Sequence, residues 1–344
     1  MKLLSYESIR YILLNAARYP LSVAALLQGK RFACNALSGE SSYNIAVNSD
    51  FTVSCNCTDY YKTGQIGDLN TSTLKEIFSS PASQRLRTDL AKGRLPLFQC
   101  VLCADRRTVP RKEAAAPITD YRLPYKGMMV ENTIACNLRC VSCPRESIMS
   151  KRKTARLSIE QVDLLSSQFA EMELQSLAYF NLGEPFVHDR IYDELSILKS
   201  HNPQMNIVLS TNGSLLDTDT KRKAAMLLGG VCVSIFGPDT IIANKYQRGT
   251  DFDRAYHNLI ELVRHRDETG SRTQIEWKYV LFRWNDHPDH IARAIELARQ
   301  SGVDKITFWP TLSPPWSLSW RWYLGRMKHI GEPFAHGRQV VFRS

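Results

Sequence analysis

The 344-residue sequence predicts an α/β protein in which a small cysteine-rich part precedes a larger part of alternating strands and helices. Two observations carry this prediction. Strand and helix patterns alternate six times after residue 126, and five of the nine cysteines fall within residues 31–112. Regular alternation of this kind predicts a parallel sheet, closed or open, with its active site at the carboxyl ends of the strands.

Changes in composition along the chain divide it into five predicted segments. These are an N-terminal amphipathic helical segment (1–30), a cysteine-rich domain (31–112), a linker (113–125), a strand–helix domain (126–311) and an aromatic and basic tail (312–344).

The N-terminal segment predicts one amphipathic helix over Ser5–Ala17, which Pro20 ends. Its apolar face carries Ile9, Ile12, Leu13 and Ala16, and we expect that face to pack against the protein, with docking to a membrane surface as the alternative. Charged residues interrupt the run and no small-residue cleavage pattern follows, which argues against a signal peptide. No stretch approaches the roughly 18 apolar residues of a membrane span.

The cysteine-rich domain predicts a hairpin followed by two helices. The strand patterns "YNIAVNS" and "FTVSC" flank a turn at Ser49-Asp50. The segments "STLKEIFSS" and "ASQRLRTDLAKG" have helical patterns, and the second ends at Gly93. So small a domain with so many cysteines suggests that a metal stabilises it.

The strand–helix domain contains six predicted strands, each followed by a helix except the last. Ser158 and Gln161 form a capping-box pair at the start of the first helix, while Gly270 and Gly302 end two later ones. The strands are "MMVENTIA", "LAYFNL", "NIVLS", "VCVSIF", "QIEWKYVLF" and "KITFWP".

Charge and cysteine content restrict the class of protein. The net charge is +10, with its densest basic stretch between Arg85 and Lys112, which is either a solvated face or an attraction for an acidic substrate. No zinc-finger, homeodomain or RNA-binding signature accompanies it, so we expect no specific nucleic-acid partner. An odd number of cysteines without an export signal favours metal or redox chemistry in the cytoplasm over a disulfide framework.

Three cysteines follow the first strand of the strand–helix domain within eight positions. Thiolates from Cys136, Cys140 and Cys143 can hold three irons of a four-iron, four-sulfur cluster and leave the fourth iron open to a substrate or cosubstrate. The alternative is a structural zinc site made from the pairs Cys100–Cys103 and Cys140–Cys143, which leaves Cys136 without a role.

The C-x3-C-x2-C spacing after the first of six βα units resembles the radical S-adenosylmethionine (radical SAM) superfamily. This resemblance implies a partial (β/α)6 TIM-like barrel preceded by a small cysteine-rich auxiliary cluster domain. Three further motifs resemble segments that contact S-adenosylmethionine in that family: "LGEP", "STNG", and "VSIFG" with "YQRG". They imply cofactor contacts by Gly183, Glu184, Pro185, Ser210, Asn212, Ser234 and Arg248. The chain departs from the family pattern at Ser142, Leu182 and Phe236, which stand where an aromatic residue, a glycine and an aspartate are common.

The resemblance implies reductive cleavage of S-adenosylmethionine at the cluster to a 5′-deoxyadenosyl radical that takes a hydrogen atom from substrate. It further implies a reductant such as a flavodoxin or ferredoxin. Substrates of similar enzymes include peptides, proteins and carbohydrates, and the expected outcome is oxidation or crosslinking, with methylation or epimerisation as alternatives. Two other classes stay open: a non-catalytic iron–sulfur protein for electron transfer or partner binding, and a nucleic-acid binder built around zinc.

The cysteine-rich domain resembles the auxiliary cluster domain called SPASM, or its shorter twitch form, although it precedes the barrel here instead of following it. The resemblance implies a second four-iron cluster held by Cys34, one of Cys55 or Cys57, and the pair Cys100 and Cys103. Zinc is the alternative metal. We expect Cys232 to be a buried apolar thiol and the aromatic tail to be packing, with a cap over the substrate as the alternative.

Overall fold

The computed structural model describes residues 6–334 and 336–343, with side chains from residue 9 onward. Ser5 of the predicted N-terminal helix therefore lies outside the described residues. The chain forms two compact units, and each contains pieces that are distant in sequence. The first comprises the described residues up to Thr133, Ser147–Asn181 and Ser200–Met205; the second comprises Ile134–Glu146, Leu182–Lys199 and the residues from Asn206 onward.

The first unit consists of short strands and mostly short helices. Its elements are α1 (Tyr6–Leu27), β1 (Lys30–Cys34), β2 (Ala46–Val47), β3 (Thr52–Ser54), β4 (Gln65–Asp68), α2 (Leu74–Ser79), α3 (Pro81–Ala91), β5 (Arg106–Pro110), α4 (Arg111–Thr119), β6 (Gly127–Val130), α6 (Ile159–Glu171) and β7 (Ser176–Ala178). Two further helices, α5 (Arg145–Met149) and α7 (Ile191–His201), each include residues of both units.

The predicted hairpin is present and joins a parallel sheet. Strands β2 and β3 pair antiparallel with Ala46 opposite Ser54, and β4 adds antiparallel to β3. The other edge of β2 pairs in parallel with β6, Ala46 lying opposite Met129, and β6 pairs in parallel with β7. Strands β1 and β5 form a separate antiparallel pair. Hence the first unit includes the first two strands of the predicted strand–helix domain, and α4 occupies most of the predicted linker.

Helix α1 is longer than the sequence predicts. It continues through Pro20 to Leu27, although a proline inside a helix costs about 3 kcal/mol. Contacts on both sides of the proline offset that cost. The Arg18 guanidinium donates to the carbonyls of Leu95 and Pro96 at 2.8 and 2.9 Å, and Ala25 is buried.

The predicted packing of the apolar face of α1 is wrong. The side chains of Ile9, Ile12 and Leu13 are 44%, 52% and 63% exposed, and Ala16 is exposed as well. Arg18 and Ala25 lie on the part of the helix that makes the contacts, so the sequence indicated the opposite side.

Local capping rules account for the helices of the first unit. Thr73 and Glu76 form a capping box at the start of α2, and Ser158 with Gln161 forms the predicted one at α6. Gly93 has a positive φ of 81°, the conformation that ends the helical path after α3. One residue of the predicted basic patch belongs to the core instead: Arg87 is 2% exposed and donates to the carbonyls of Leu37 and Phe78.

The second unit is built on a mainly parallel sheet. Its elements are β8 (Asn206–Thr211), α8 (Asp219–Ala225), β9 (Gly230–Ser234), α9 (Thr240–Asn244), α10 (Phe252–Thr269), β10 (Gln274–Leu281), α11 (Pro288–Ser301), β11 (Lys305–Pro310), α12 (Trp320–Tyr323), β12 (Glu332–Phe334) and β13 (Gly337–Val341). Strands β8, β9, β10 and β11 are parallel neighbours in that order, as predicted. The antiparallel hairpin β12–β13, which the sequence did not predict, extends the sheet from β11.

The two faces of this sheet differ in chemistry. Along β10, Ile275, Trp277, Tyr279 and Leu281 are fully buried, and Trp277 packs against Phe252 and Tyr256 of α10. The residues between them point to the opposite face and are less buried. We call that opposite face the polar sheet face, made of Ser210, Cys232, Ser234, Glu276, Lys278, Thr307 and Trp309.

Two further expectations about this unit are wrong. Cys232 is only partly buried and lies 4.0 Å from Glu276 Oε1 on the polar sheet face, so it is not an apolar core thiol. In the tail, Trp316 and Trp320 are 56% and 60% exposed, so these rings are not core packing. No helix among the described residues is long and apolar enough to cross a membrane.

Candidate metal centre

The three predicted cluster cysteines lie on one loop of the second unit. Cys136, Cys140 and Cys143 are each partly exposed. Cys140 and Cys143 line a cavity of about 790 Å³, together with Arg145 and Arg248. A cavity of this size is in the range of small-molecule sites, roughly 300–1,000 Å³. The loop therefore presents its thiols to a space large enough for a cluster and a cosubstrate.

Main-chain hydrogen bonds hold the cysteine loop in place. The N–H groups of Arg139 and Val141 donate to the carbonyls of Arg248 and Tyr246 at 3.0 and 2.9 Å. Within the loop, the Leu138 N–H donates to Cys136 Sγ at 3.4 Å. Hydrogen bonds to a ligating sulfur are among the factors that set the reduction potential of an iron–sulfur cluster. The predicted "YQRG" motif thus supports the cysteine loop through its backbone.

Neighbouring thiols of this loop act electrostatically on the pKa values of Cys140 and Cys136. Burial, with a smaller contribution from the neighbouring Cys143 and Cys136, raises the pKa of Cys140 to about 12. Without metal the thiols of Cys140 and Cys136, whose pKa values are both raised above the ordinary value, are therefore protonated at neutral pH. Metal binding to thiols releases such protons, because the thiolate is the ligand.

The donor set fits an iron–sulfur cluster. Soft thiolate ligands suit such clusters, and three of them leave one iron without a protein ligand. In the portion of the chain that the structure describes, no three His, Cys, Asp or Glu side chains are arranged to hold a single metal ion. A single zinc ion with Zn–S bonds of about 2.3 Å requires four thiolates whose sulfur atoms lie about 3.8 Å apart. The described residues show no such close arrangement.

Glu184 of the "LGEP" motif is an internal anchor. Its side chain is 2% exposed, and its carboxylate accepts from Thr211 Oγ1 at 2.6 Å, the Asn212 N–H at 2.7 Å and the Phe186 N–H at 3.3 Å. The Glu184 N–H donates to the carbonyl of Ala135, next to the first cysteine. Burial raises the pKa of this carboxyl group, although those donors act in the opposite direction.

The other predicted cofactor residues occupy the same strand ends. Asn212 Nδ2 donates to Asn137 Oδ1 at 2.9 Å, which connects "STNG" to the cysteine loop. The hydroxyls of Ser210 and Ser234 are 3.2 Å apart on the polar sheet face. Gly183 is partly exposed, whereas Pro185 is buried at the start of a 3₁₀ turn. The structure thus brings the predicted motifs together, and contacts of these residues with S-adenosylmethionine stay a prediction.

An aromatic group beside the cysteine loop was missed by the sequence analysis. Tyr246 stacks on Phe282 with ring centroids 4.5 Å apart, and Phe236 lies 5.7 Å from Tyr246. The Tyr246 hydroxyl is 2.9 Å from Ser142 Oγ. Ser142 and Phe236 are two of the positions that depart from the family pattern. These two departures from the family pattern were the sequence signal for the aromatic group, because Ser142 and Phe236 both contact Tyr246.

Four of the five cysteines of the first unit form a second group. Burial raises the pKa of Cys55 well above its usual value, and its next largest influences include Cys100, Cys34 and Cys103. Burial likewise raises the pKa of Cys34, with Cys103 and Cys100 adding to the effect. Asn56 Nδ2 donates to Cys103 Sγ at 3.3 Å. These four thiols are neighbours.

Cys57 differs from Cys55 in its surroundings. Its thiol donates to Asn44 Oδ1 at 3.2 Å and lines a cavity of about 190 Å³. Burial, with Cys103 and Asp105 adding to the effect, raises the pKa of Cys57 to about 12, whereas Cys100 and Cys34 act on Cys55. Cys55 is therefore the better partner for Cys34, Cys100 and Cys103.

The parallel strands, the cysteine loop at their carboxyl ends and the clustered motifs are the features of an iron–sulfur protein whose cluster leaves one iron without a protein ligand. The family model of the Radical SAM superfamily matches residues 132–315, more than half of the chain. The chain belongs to this superfamily. The predicted α/β class with the partial-barrel type of parallel sheet is thereby confirmed, and membership implies a [4Fe-4S] cluster that binds and cleaves S-adenosylmethionine.

Relatives with curated names include two GTP 3′,8-cyclases. The one from Chlorobaculum tepidum is 31% identical over 122 residues, which cover 36% of this chain and 35% of the relative. The one from Paracoccus denitrificans is 28% identical over 199 residues, covering 57% and 55%. The chain thus spans between about a third and about half of the length of these relatives.

Similar solved structures include one titled native anSMEcpe with bound AdoMet, at 18% identity and a TM-score of 0.39, covering 52% of this chain and 50% of that one. A radical SAM methyltransferase from Sphaerobacter thermophilus has 19% identity and a TM-score of 0.36, covering 52% and 54%. With TM-scores below 0.5, neither likeness bears on the substrate.

Proposed function

We propose that this protein is a radical SAM enzyme that abstracts a hydrogen atom from its substrate. A second, auxiliary cluster assists in the oxidation or crosslinking of that substrate. The observation that carries the proposal is the loop on which Cys136, Cys140 and Cys143 are neighbours, with Cys140, Cys143 and Arg248 lining one cavity. When bound there, a cluster reduced by the electron donor would pass one electron to S-adenosylmethionine, whose carbon–sulfur bond would break to give methionine and a 5′-deoxyadenosyl radical.

The residues of this chain position and shield that chemistry. Cys136, Cys140 and Cys143 hold the cluster, and the Leu138 N–H bonds the first sulfur. Arg248 supplies a cation at the cavity for the carboxylate of S-adenosylmethionine. Glu184 acts indirectly: it fixes the backbone of Asn212 beside the cysteine loop, since both of its oxygens already accept hydrogen bonds from this chain.

The auxiliary cluster of the proposal belongs to the first unit. Cys34, Cys55, Cys100 and Cys103 are its ligands, because these four thiols are neighbours. Four thiolates complete the protein ligation of a [4Fe-4S] cluster. The order along the chain supports the resemblance to a SPASM or twitch domain. A cluster held by these four thiolates would accept one electron from the substrate radical, which together with loss of a proton would give a net two-electron oxidation or a crosslink.

The substrate is a peptide, a protein or a carbohydrate in this proposal. GTP is a second candidate, because GTP 3′,8-cyclases are among the curated relatives. The relatives match this chain over only part of their length, so GTP enters as a compound to test. A flavodoxin or ferredoxin of the cytoplasm is the proposed electron donor.

Iron analysis and product analysis test the proposal together. The protein is reconstituted anaerobically, reduced with dithionite and incubated with S-adenosylmethionine, with and without GTP. We expect about eight irons per chain and release of 5′-deoxyadenosine. The variant with Cys136, Cys140 and Cys143 replaced by alanine should retain about four irons and release none, whereas Cys232→Ala, the matched control, should behave as wild type.

Two outcomes would contradict parts of this reading. A wild-type protein that keeps its clusters and never releases 5′-deoxyadenosine would support an electron-transfer protein. Bound zinc without iron in either group would overturn the cluster assignment. For the auxiliary site, Cys55→Ala should lose about four irons while Cys57→Ala keeps them. Equal iron contents in those two variants would refute the choice of Cys55.

A further inference from the structure

The polar sheet face of the second unit carries a cation that its own residues orient. Lys278 Nζ lies 4.6 Å from the centroid of the Trp309 ring, a distance typical of a cation–π interaction. Trp309 Nε1 in turn donates to Thr307 Oγ1 at 3.0 Å. Thr307 donates to Glu276 through a short hydrogen bond. This sequence of contacts fixes the indole on which the ammonium rests.

The carboxylate on the same face is already paired. Glu276 accepts from Thr307 and forms an ion pair with Lys305 at 3.3 Å. In contrast, no Asp or Glu of the described ranges lies within ion-pair distance of Lys278. Lys278 is only partly buried, so its charge is available to a ligand.

Hydroxyl groups lie next to this cation. Strand register places Ser234 opposite Lys278, and Thr307 opposite Lys278 on the other side. The Ser234 hydroxyl is 3.2 Å from that of Ser210. An ammonium flanked by hydroxyls is a combination that binds phosphate or carboxylate oxygens.

The position of these residues relates them to the metal centre. Ser234 is the last residue of β9, and the chain beyond it carries Tyr246 and Arg248, whose carbonyls hold the cysteine loop. Ser210 immediately precedes Thr211 and Asn212, which bind Glu184. Lys278, which lies opposite Ser234, is therefore near the carboxyl ends of the strands, on the side of the sheet where the cysteine loop lies.

We propose that Lys278, oriented by Trp309, binds an anionic group of the substrate, either a phosphate or a carboxylate. This inference rests on the proposed radical function, since it assigns a recognition group to the substrate of that site. It narrows the substrate class to anionic compounds or to side chains and sugars that carry an anionic group.

Anion binding to the cluster-loaded protein tests the inference. Inorganic tripolyphosphate and citrate serve as probes for the phosphate and the carboxylate source, and calorimetry measures each in the presence of S-adenosylmethionine. We expect Lys278→Met to weaken binding of the preferred probe at least tenfold and Lys278→Arg to stay within threefold of wild type. Lys112→Met, which removes an equal charge from the basic stretch of the first unit, should stay within twofold.

A labelling experiment on the wild-type protein needs no variant. Acetylation of Lys278, followed by mass spectrometry of its peptide, should slow several-fold at saturating probe, while acetylation of Lys112 should not. Equal effects of the methionine variants at 278 and 112 would show binding to net charge and overturn the proposal. So would weaker binding of S-adenosylmethionine in Lys278→Met with probe binding unchanged.

These results are separable from the proposed function. Iron content and 5′-deoxyadenosine release report on the cluster, whereas probe affinity reports on Lys278. A protein that cleaves S-adenosylmethionine but shows no dependence of probe binding on Lys278 refutes only the recognition role.

Discussion

Thr211 offers the sharpest test of how the strand ends around the metal centre are held. Its hydroxyl donates to Glu184 Oε1 at 2.6 Å and accepts from the Gly213 N–H at 3.1 Å. Thr211→Val keeps the shape of the side chain and removes both hydrogen bonds. A hydrogen bond to a charged group contributes about 1.5–3 kcal/mol and an ordinary one about 1 kcal/mol. We therefore expect the free energy of unfolding to fall by about 2.5–4 kcal/mol.

The pH dependence of this loss adds a second criterion. Burial raises the pKa of Glu184 above its usual value, so as the pH is lowered this carboxylate takes up a proton sooner than an ordinary glutamate does. A protonated carboxyl group depends less on the Thr211 donor. The destabilisation by Thr211→Val should therefore be largest near pH 7.5 and shrink as the pH falls.

Urea unfolding of the metal-free protein near pH 7.5 and near pH 5 measures these effects. Thr269→Val is the matched control, because that hydroxyl donates to the neutral carbonyl of His265 at 2.7 Å. Hydrogen exchange at Asn212, whose N–H donates to Glu184, reports the local change. A Thr211→Val loss no larger than that of the control, or one that does not change with pH, would refute the anchoring role of Glu184.

Two further predictions concern the first unit. Arg152→Met leaves the fully buried Glu131 without its ion-pair partner at 3.1 Å, so urea unfolding should show a loss of about 3–5 kcal/mol, and Glu131→Gln in the same chain should recover part of it. A loss below about 1 kcal/mol would mean that the pair contributes little. Burial acts to raise the pKa of Asp50. The ammonium group of Lys62 and other hydrogen-bond donors outweigh that effect and hold the pKa below its usual value. A depressed folded pKa gives stability that is present above the unfolded pKa and lost on acidification. The difference in unfolding free energy between wild type and Asp50→Asn should therefore be constant from pH 7 to 5 and shrink below about pH 4; a constant difference down to pH 3 would contradict this.

Much of the second unit was predictable because its signals are local. Gly270 and Gly302 end α10 and α11 with φ values of 64° and 75°, a conformation that glycine adopts without steric cost. Alternation along β10 identified a strand with one buried face. The order of the cysteines and the strand-end motifs then indicated which residues form the candidate metal centre.

The errors arose where distant parts of the chain decide the outcome. Helix α1 continues past Pro20 because Arg18 reaches carbonyl groups about 77 residues away. The parallel pairing of β2 with β6 depends on partners more than 80 residues apart, and no local pattern encodes it. Arg87 was placed on a charged surface because composition does not show that its guanidinium caps two buried carbonyls.

Choosing between Cys55 and Cys57 needed the folded chain. Two residues apart, these side chains have equal access to the same partners in any sequence argument. In the structure, Cys55 lies among the other cysteines, while Cys57 bonds Asn44.

The attachment of the cysteine loop by carbonyl oxygens of Tyr246 and Arg248 has a consequence for how the enzyme can change during evolution. Neither tie depends on which side chain stands at those two positions. Variation at Arg248, which lines the cavity, would therefore alter cosubstrate binding while the iron-loading step is preserved. A library randomised at both positions should accordingly retain brown, cluster-containing protein in most of its members.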